Sequence, residues 1–240
     1  MLISNSTNAG EEYLAWCRGY ITDYLNEYAV RKILFIPYAG VNLTSVSVEK
    51  SFDLYEERVK KIFREMGFDL HSIHRDANPV VAVNEAEAIV IGGGNTFHLT
   101  HLMHEFSIMD AIRRKLQRGI PFVGWSAGAN VACPTMKTTN DMPICEPPSF
   151  NCLKLVPFQI NPHYLDANPE DFAGETREQR ILEFLTVNRA TTVVGLREGC
   201  FLKVKGDTMS LTGKRPLRVF NFGTEPKEYH STDQLDFLLK

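Results

Sequence analysis

The chain has 240 residues, 44% hydrophobic and 23% charged, the balance of a globular protein able to bury a sizeable core. Its formal net charge of -3, with basic residues scattered, excludes the Lys/Arg stripe of a nucleic-acid binder and favours a small ligand. No apolar run approaches the ~18 residues that cross a bilayer, and the first residues lack the basic region and cleavage site of an export signal, so a cytoplasmic protein with no membrane partner is expected.

Short β-branched runs alternate with longer stretches of helical period, which predicts strands at Leu2–Ser4, Lys32–Pro37, Phe68–Ile73, Ala88–Ile91 and Pro121–Gly124. Between them, Leu14, Cys17, Ile21, Tyr24 and Tyr28 line one helical face, as do Phe52, Tyr55, Val59, Ile62, Phe63 and Met66, with Gly67 as a C-terminal cap. His98, His101 and His104 ride a short helix, and another begins near Ser107, which with Asp110 has the spacing of a capping box. Residues 133–151 carry four prolines and no period, which marks a functional loop. A strand over Leu155–Phe158, a helix over Pro169–Asn188 and short strands at Thr191–Leu196, Phe201–Val204, Met209–Leu211 and Arg218–Phe222 complete the pattern. This is the order of a doubly wound α/β fold: a mostly parallel sheet, helices on both faces and antiparallel C-terminal strands, in a single domain over residues 1–240. The five cysteines are odd in number and lack Cys-x-x-Cys spacing, which argues for a reducing compartment and against a disulfide framework or zinc.

At Gly124-Trp-Ser126-Ala-Gly128 a buried strand breaks into Gly-x-Ser-x-Gly, the turn that lifts a serine oxygen above a sheet and makes Ser126 a candidate nucleophile. Such a serine needs a base and a group to orient that base. Of seven histidines, only His163, in Gln159-Ile-Asn-Pro-His163, has a turn-like setting just past a predicted strand end, where open α/β sheets hold ligands. Glu198, after the strand 192–196, and Asp141, in the long loop, compete as orienter, and Arg197 beside Glu198 is a cation able to redirect its carboxylate. The glycines of Gly92-Gly93-Gly94-Asn95 can aim N–H groups at an anion. Dinucleotide and P-loop spacings are missing, so an oxyanion hole of Gly93, Gly94 and Ala127 competes with a phosphate cradle and with a plain turn. The spacing of His98, His101 and His104 could hold a metal, but no further ligand beyond Glu105 is evident and an ordinary helix surface is expected, with no metal or cofactor.

Taken in order, Ser4-Asn-Ser-Thr7, Phe35-Ile-Pro-Tyr-Ala-Gly40, Gly92-Gly-Gly-Asn-Thr-Phe97, Gly124-Trp-Ser-Ala-Gly-Ala-Asn130, Cys133-Pro-Thr, Thr138-Thr-Asn-Asp-Met-Pro-Ile144, Gln159-Ile-Asn-Pro-His163 and Gly174-Glu-Thr-Arg-Glu-Gln-Arg180 resemble peptidase E, the α-aspartyl dipeptidase family. The resemblance runs to about Glu198-Gly199 and fades beyond residue 205. It implies a fold similar to class I glutamine amidotransferases and a cytoplasmic, metal-free serine peptidase that cleaves dipeptides with an N-terminal aspartate. By matching motif, Ser126 resembles the nucleophile, His163 the base, and Asp141 and Glu198 both match the third member. Arg177 resembles the guanidinium that grips the substrate's aspartate side chain, with Asn95 a second substrate contact, although Glu175 and Glu178 could tie Arg177 up. Rival functions are a cyanophycinase-like β-aspartyl peptidase or an esterase on this scaffold, or a non-catalytic binder of acidic peptides. A glutamine amidotransferase would need a cysteine where Ser126 stands. A homodimer is left open.

Overall fold

The structure, a computed structural model, describes residues 1–168 and 173–240. Strands β1 (Leu2–Ile3), β2 (Lys32–Ile36), β3 (Asp69–Ser72), β4 (Ala88–Ile91) and β5 (Phe122–Trp125) run parallel in the order β3-β2-β4-β5-β1. They are followed in the chain by β6 (Gln159–Tyr164), β7 (Val193–Arg197), β8 (Cys200–Lys205), β9 (Thr208–Gly213), β10 (Leu217–Phe220) and β11 (Lys227–Tyr229). Strands β8 and β9 extend the first sheet antiparallel beyond β1, whereas β11-β10-β7-β6 form a second sheet in which only β6 and β7 are parallel. The C-terminal strands therefore divide between two sheets rather than adding to one.

Period-two alternation splits each central strand between two cores. Ile33 and Phe35 of β2, Val90 of β4, and Val123 and Trp125 of β5 pack on one side with α1 (Arg18–Asn26) and most of the inner face of α2 (Val48–Glu65). Leu34, Ile36, Ile89, Ile91 and Phe122 pack on the other, against α3 (Pro79–Glu85), α4 (Thr96–Glu105) and α5 (Ile108–Gln117). Each such side chain contributes roughly 1.5–3 kcal/mol on burial, so a one-residue slip of any strand would exchange two cores at prohibitive cost. Helix starts follow local chemistry. The Ser47 hydroxyl accepts from the Lys50 N–H at 3.0 Å, and Asn78 caps α3 just before Pro79.

Three expectations change. Ser107 precedes α5 but has φ 55° and makes no capping bond; Asp110 instead pairs with Arg113 within the helix. Residues 155–158 are not a strand, because the preceding N–H groups of Leu153, Lys154 and Leu155 close off the carbonyls of Val131, Cys133 and Ala132 after the one-turn helix α6 (Ala127–Asn130). The strand lies further on, as β6. The last long helix, α7, covers Arg177–Val187; residues 169–172, where its start was expected, lie outside the described residues. It opens with a capping box of Thr176 and Gln179. No helix among the described residues is long and apolar enough to cross a membrane.

Candidate active site

Strand β5 ends at Trp125, and the chain reverses through Ser126, whose φ of 53° and ψ of -113° hold a non-glycine residue in a sparsely populated region. Such strain costs of order 1–3 kcal/mol and is retained where the surroundings enforce it. Here they do, because the Ser126 N–H donates to the Ile3 carbonyl at 3.0 Å and its own carbonyl accepts from Ala129 and Asn130. The helix behind it is a single turn, so backbone N–H groups matter more than any macrodipole.

His163 reaches Ser126 from the second sheet. It sits inside β6, not in a turn, at a bulge between Pro162 and Tyr164 where its φ is 53°. The bulge re-aims the imidazole toward the first sheet. Its Nε2 lies 2.9 Å from the Ser126 Oγ and its Nδ1 2.6 Å from the Glu198 Oε1. A carboxylate can only accept, so Nδ1 carries the proton and Nε2 presents its lone pair to the hydroxyl. Ser4, at the end of β1, holds this unit together: its hydroxyl donates to the Leu196 carbonyl at 2.7 Å and accepts from the His163 N–H at 2.9 Å. Asn5 accepts from the Gly199 N–H at 2.8 Å and so braces the turn that carries Glu198.

Asp141 is not brought to His163. Its Oδ2 accepts from the Thr96 N–H at 2.7 Å, the Thr96 hydroxyl at 2.5 Å and the Thr139 hydroxyl at 2.9 Å, which ties the long loop to the start of α4. Of the two carboxylates expected to compete for the imidazole, Glu198 and not Asp141 lies within hydrogen-bond reach of it. Arg197 does not disturb that carboxylate, because its own guanidinium is engaged by Asp166 and Glu228.

Ser126, His163, Asp141, Gly93, Gly94, Asn95 and Arg58 share a cleft of about 520 Å³. A larger groove of about 930 Å³ over the outer face of α2 is lined by no serine, threonine, cysteine or histidine. Gly94 has a φ of 133° and lies so close to Ala39 that a Cβ would stand 2.1 Å from the Ala39 carbonyl oxygen. The N–H groups of Gly93, Gly94 and Ala127 make no hydrogen bonds within the protein among the described residues, which leaves them available to an anion beside Ser126. Asn95 borders the cleft, but its side chain caps α4 through the His98 N–H and donates to the Met142 carbonyl at 2.8 Å.

Arg177 lies in an adjoining cleft of about 140 Å³ that shares Asp141 with the first. The glutamates that could have neutralised it are used elsewhere, Glu175 with Arg180 and Glu178 with Arg218. Burial, and then the neighbouring Arg180, lower its pKa from the ordinary guanidinium value, against the opposing pull of Asp141. His98, His101 and His104 bond the carbonyls of Tyr38, Glu146 and Asn151, so two of the three fasten the long loop along α4. Among the described residues no cluster of three or more metal-ligating side chains occurs. Sequence reasoning missed Ser4, Thr96 and Thr139 as supports; only the Ser-Asn-Ser-Thr, Gly-Gly-Gly-Asn-Thr-Phe and Thr-Thr-Asn-Asp segments signalled them.

A hydroxyl, an imidazole and a carboxylate stand in line beside an open, mostly parallel sheet, and the family match over most of the chain places the molecule among the α/β peptidases. The chain belongs to peptidase family S51, whose sequence profile matches residues 1–212. Over 240 residues, 100% of this chain and 96% of the relative, it is 49% identical to a protein named Peptidase E from a Nostoc species. It is 42% identical over all of its length, and 94% of the relative, to Peptidase E of Streptomyces coelicolor. Among solved structures, a peptidase from an acI-B1 actinobacterium superposes with a TM-score of 0.70 at 15% identity, covering 97% of this chain and 94% of that one. A putative peptidase E protein from Listeria monocytogenes gives 0.59 at 18% identity over 82% of this chain and 92% of that one. At those identities the likeness is one of fold.

Proposed function

We propose that this protein is a serine dipeptidase that hydrolyses Asp-Xaa dipeptides, with Ser126 as nucleophile, His163 as general base and Glu198 as its orienter. The observation that carries this reading is the continuous line from the Ser126 Oγ through both nitrogens of His163 to the Glu198 carboxylate. His163 takes the Ser126 proton as the oxygen attacks the scissile carbonyl, and the N–H groups of the 93–94 turn and Ala127 hold the oxyanion. The same imidazole then protonates the leaving amine. Water, deprotonated by His163, attacks the aspartyl ester and releases aspartate, returning the proton to Ser126.

The substrate class follows from charge. Arg177, half buried and without an ion-pair partner among the described residues, would grip the side-chain carboxylate of an N-terminal aspartate. Asp141 keeps its Oδ1 free of hydrogen bonds among the described residues and borders both clefts, which suits it to the substrate's ammonium group rather than to His163. Relatives that are named Peptidase E support the same reading.

The test is leucine release from Asp-Leu by the purified protein and by Ser126→Ala, beside Glu-Leu, Asn-Leu and β-aspartyl-Leu. Cleavage of Asp-Leu alone, lost in the serine variant, is the expected result. Cleavage of β-aspartyl-Leu instead would transfer the assignment to a β-aspartyl peptidase, and turnover surviving in Ser126→Ala would remove the serine mechanism.

A further inference from the structure

Tyr55 belongs to the buried face of α2 and lies outside the Ser-His-Glu line, yet its hydroxyl ends within hydrogen-bond reach of the glycine turn beside Ser126. The ring is 3% exposed and occupies room that only missing side chains provide: a Cβ on Gly40 would stand 2.3 Å from it, and one on Gly92 2.5 Å from its hydroxyl.

The hydrogen-bond polarity of this hydroxyl is determined by its neighbours. The Gly93 carbonyl can only accept, so Tyr55 donates its one proton to it, at 3.0 Å. Its oxygen must then accept from the Tyr13 hydroxyl at 2.9 Å and from the Trp125 indole N–H at 3.1 Å. The same indole N–H lies 2.9 Å from the Tyr13 oxygen. Every donor in this chain thus points toward one backbone carbonyl. Burial raises the pKa of both phenols, which favours their neutral, proton-donating form.

A trans peptide directs its N–H opposite to its C=O, and no cis peptide occurs among the described residues. Holding the Gly93 carbonyl on Tyr55 therefore turns the Gly94 N–H away from Tyr55. Gly93 and Gly94 border the Ser126 cleft, with a Cβ on Gly93 falling 2.9 Å from the Ser126 Cβ, and the Gly94 N–H makes no hydrogen bond within the protein among the described residues.

We propose that Tyr55 is a positioning residue for acyl transfer at Ser126: its hydroxyl, oriented by Tyr13 and Trp125, locks the Gly93–Gly94 peptide so that the Gly94 N–H meets the oxyanion. The inference rests on the reading of Ser126 as nucleophile and does not depend on the identity of the acyl group. Preorganised donors act on charge that develops only in the transition state, so their misalignment lowers kcat and leaves KM alone.

The test is Tyr55→Phe, which keeps the ring against Phe35 and Tyr13 and removes only the hydroxyl. Two readouts are taken: kcat and KM on Asp-Leu, and p-nitrophenolate release from p-nitrophenyl acetate, counting only the part abolished by Ser126→Ala. We expect both rates to fall roughly 10- to 100-fold, below the roughly 10²–10³-fold loss of an entire oxyanion donor, with KM within about twofold of wild type. Should Tyr55→Phe not fold, Tyr13→Phe leaves the Gly93 bond in place and removes the donor that fixes its direction; a roughly 3- to 10-fold loss in kcat at unchanged KM is expected. Rates within about twofold of wild type, or a change confined to KM, overturn the proposal. Tyr55-dependent acylation by the acetate ester in a protein that leaves Asp-Leu intact would sink the aspartyl reading and uphold this one, whereas no Ser126-dependent release at all would overturn both.

Discussion

Replacing Glu198 by glutamine isolates the electrostatic part of the proposed mechanism. The amide oxygen can still accept from the His163 Nδ1–H, so ring tautomer and geometry are kept and the lost element is the negative charge. With Nδ1 and Oε1 2.6 Å apart, the imidazolium and carboxylate charge centres stand about 4 Å apart, worth about 4 kcal/mol at an effective dielectric constant of about 20. The two side chains are 38% and 42% exposed, and solvent screening brings the low end to about 2 kcal/mol. The expected loss in kcat is therefore roughly 30- to 1,000-fold. It is read from initial rates of leucine release at saturating Asp-Leu, with the thermal midpoint as a check on folding. Asp141→Asn, run beside it, should act on KM for Asp-Leu. A Glu198→Gln enzyme within about threefold of wild-type kcat would refute the reasoning, most directly if Asp141→Asn were the variant that abolished turnover.

Arg177→Gln should lower kcat/KM on Asp-Leu roughly 10- to 100-fold, the worth of a charge-assisted hydrogen-bond pair, and should narrow the preference over Asn-Leu; both are measured by competition between the two dipeptides. Gly94→Ala should lose more than about 100-fold in activity, because its φ of 133° and a Cβ 2.1 Å from the Ala39 carbonyl force the turn to move; a fully active variant would show that the turn tolerates displacement. The hydrogen bond from Arg197 holds the Asp166 carboxyl below its ordinary value of 3.8, so the stabilisation from this pair is complete above about pH 4 and is lost as pH falls through the lowered value. Asp166→Asn should accordingly cost about 1 kcal/mol at pH 7, a small figure because the carboxylate is half exposed, and the gap to wild type in urea melts should narrow as pH is lowered below the ordinary carboxylate value.

The parallel strands were legible because each is a short apolar run between amphipathic helices, and the serine elbow because Gly-x-Ser-x-Gly breaks such a run. The geometry around His163 was not. Periodicity suggested a strand ending at Phe158, but the apolar side chains of Val156 and Phe158 are buried from an irregular segment that seals the end of α6, and the strand begins one residue later. A bulge carries no local signature beyond Pro162 in this chain. Ser107 and Asp110 had capping spacing without the capping conformation, while Thr176 and Gln179 had both and were overlooked because the helix was begun too early. The choice between Asp141 and Glu198 was beyond local reading in kind: one carboxylate lies in the long loop and the other follows a strand, and it is the pairing of β6 with β7 that brings Glu198 beside the imidazole while Asp141 is held by Thr96.

Strand β1 has two residues, yet it is the seam along which distant parts of the chain are registered. The hydroxyl of Ser4 at its end meets the His163 N–H across 159 positions of sequence. Closing such a loop has an entropic cost with no local reward, and it must be met before the imidazole can find the serine. Helices and hairpins can recover from denaturant by local contacts, so refolding followed by circular dichroism should run ahead of refolding followed by peptide cleavage. The interval between the two traces would be the time the chain takes to join its beginning to the strands that carry the base and the acid.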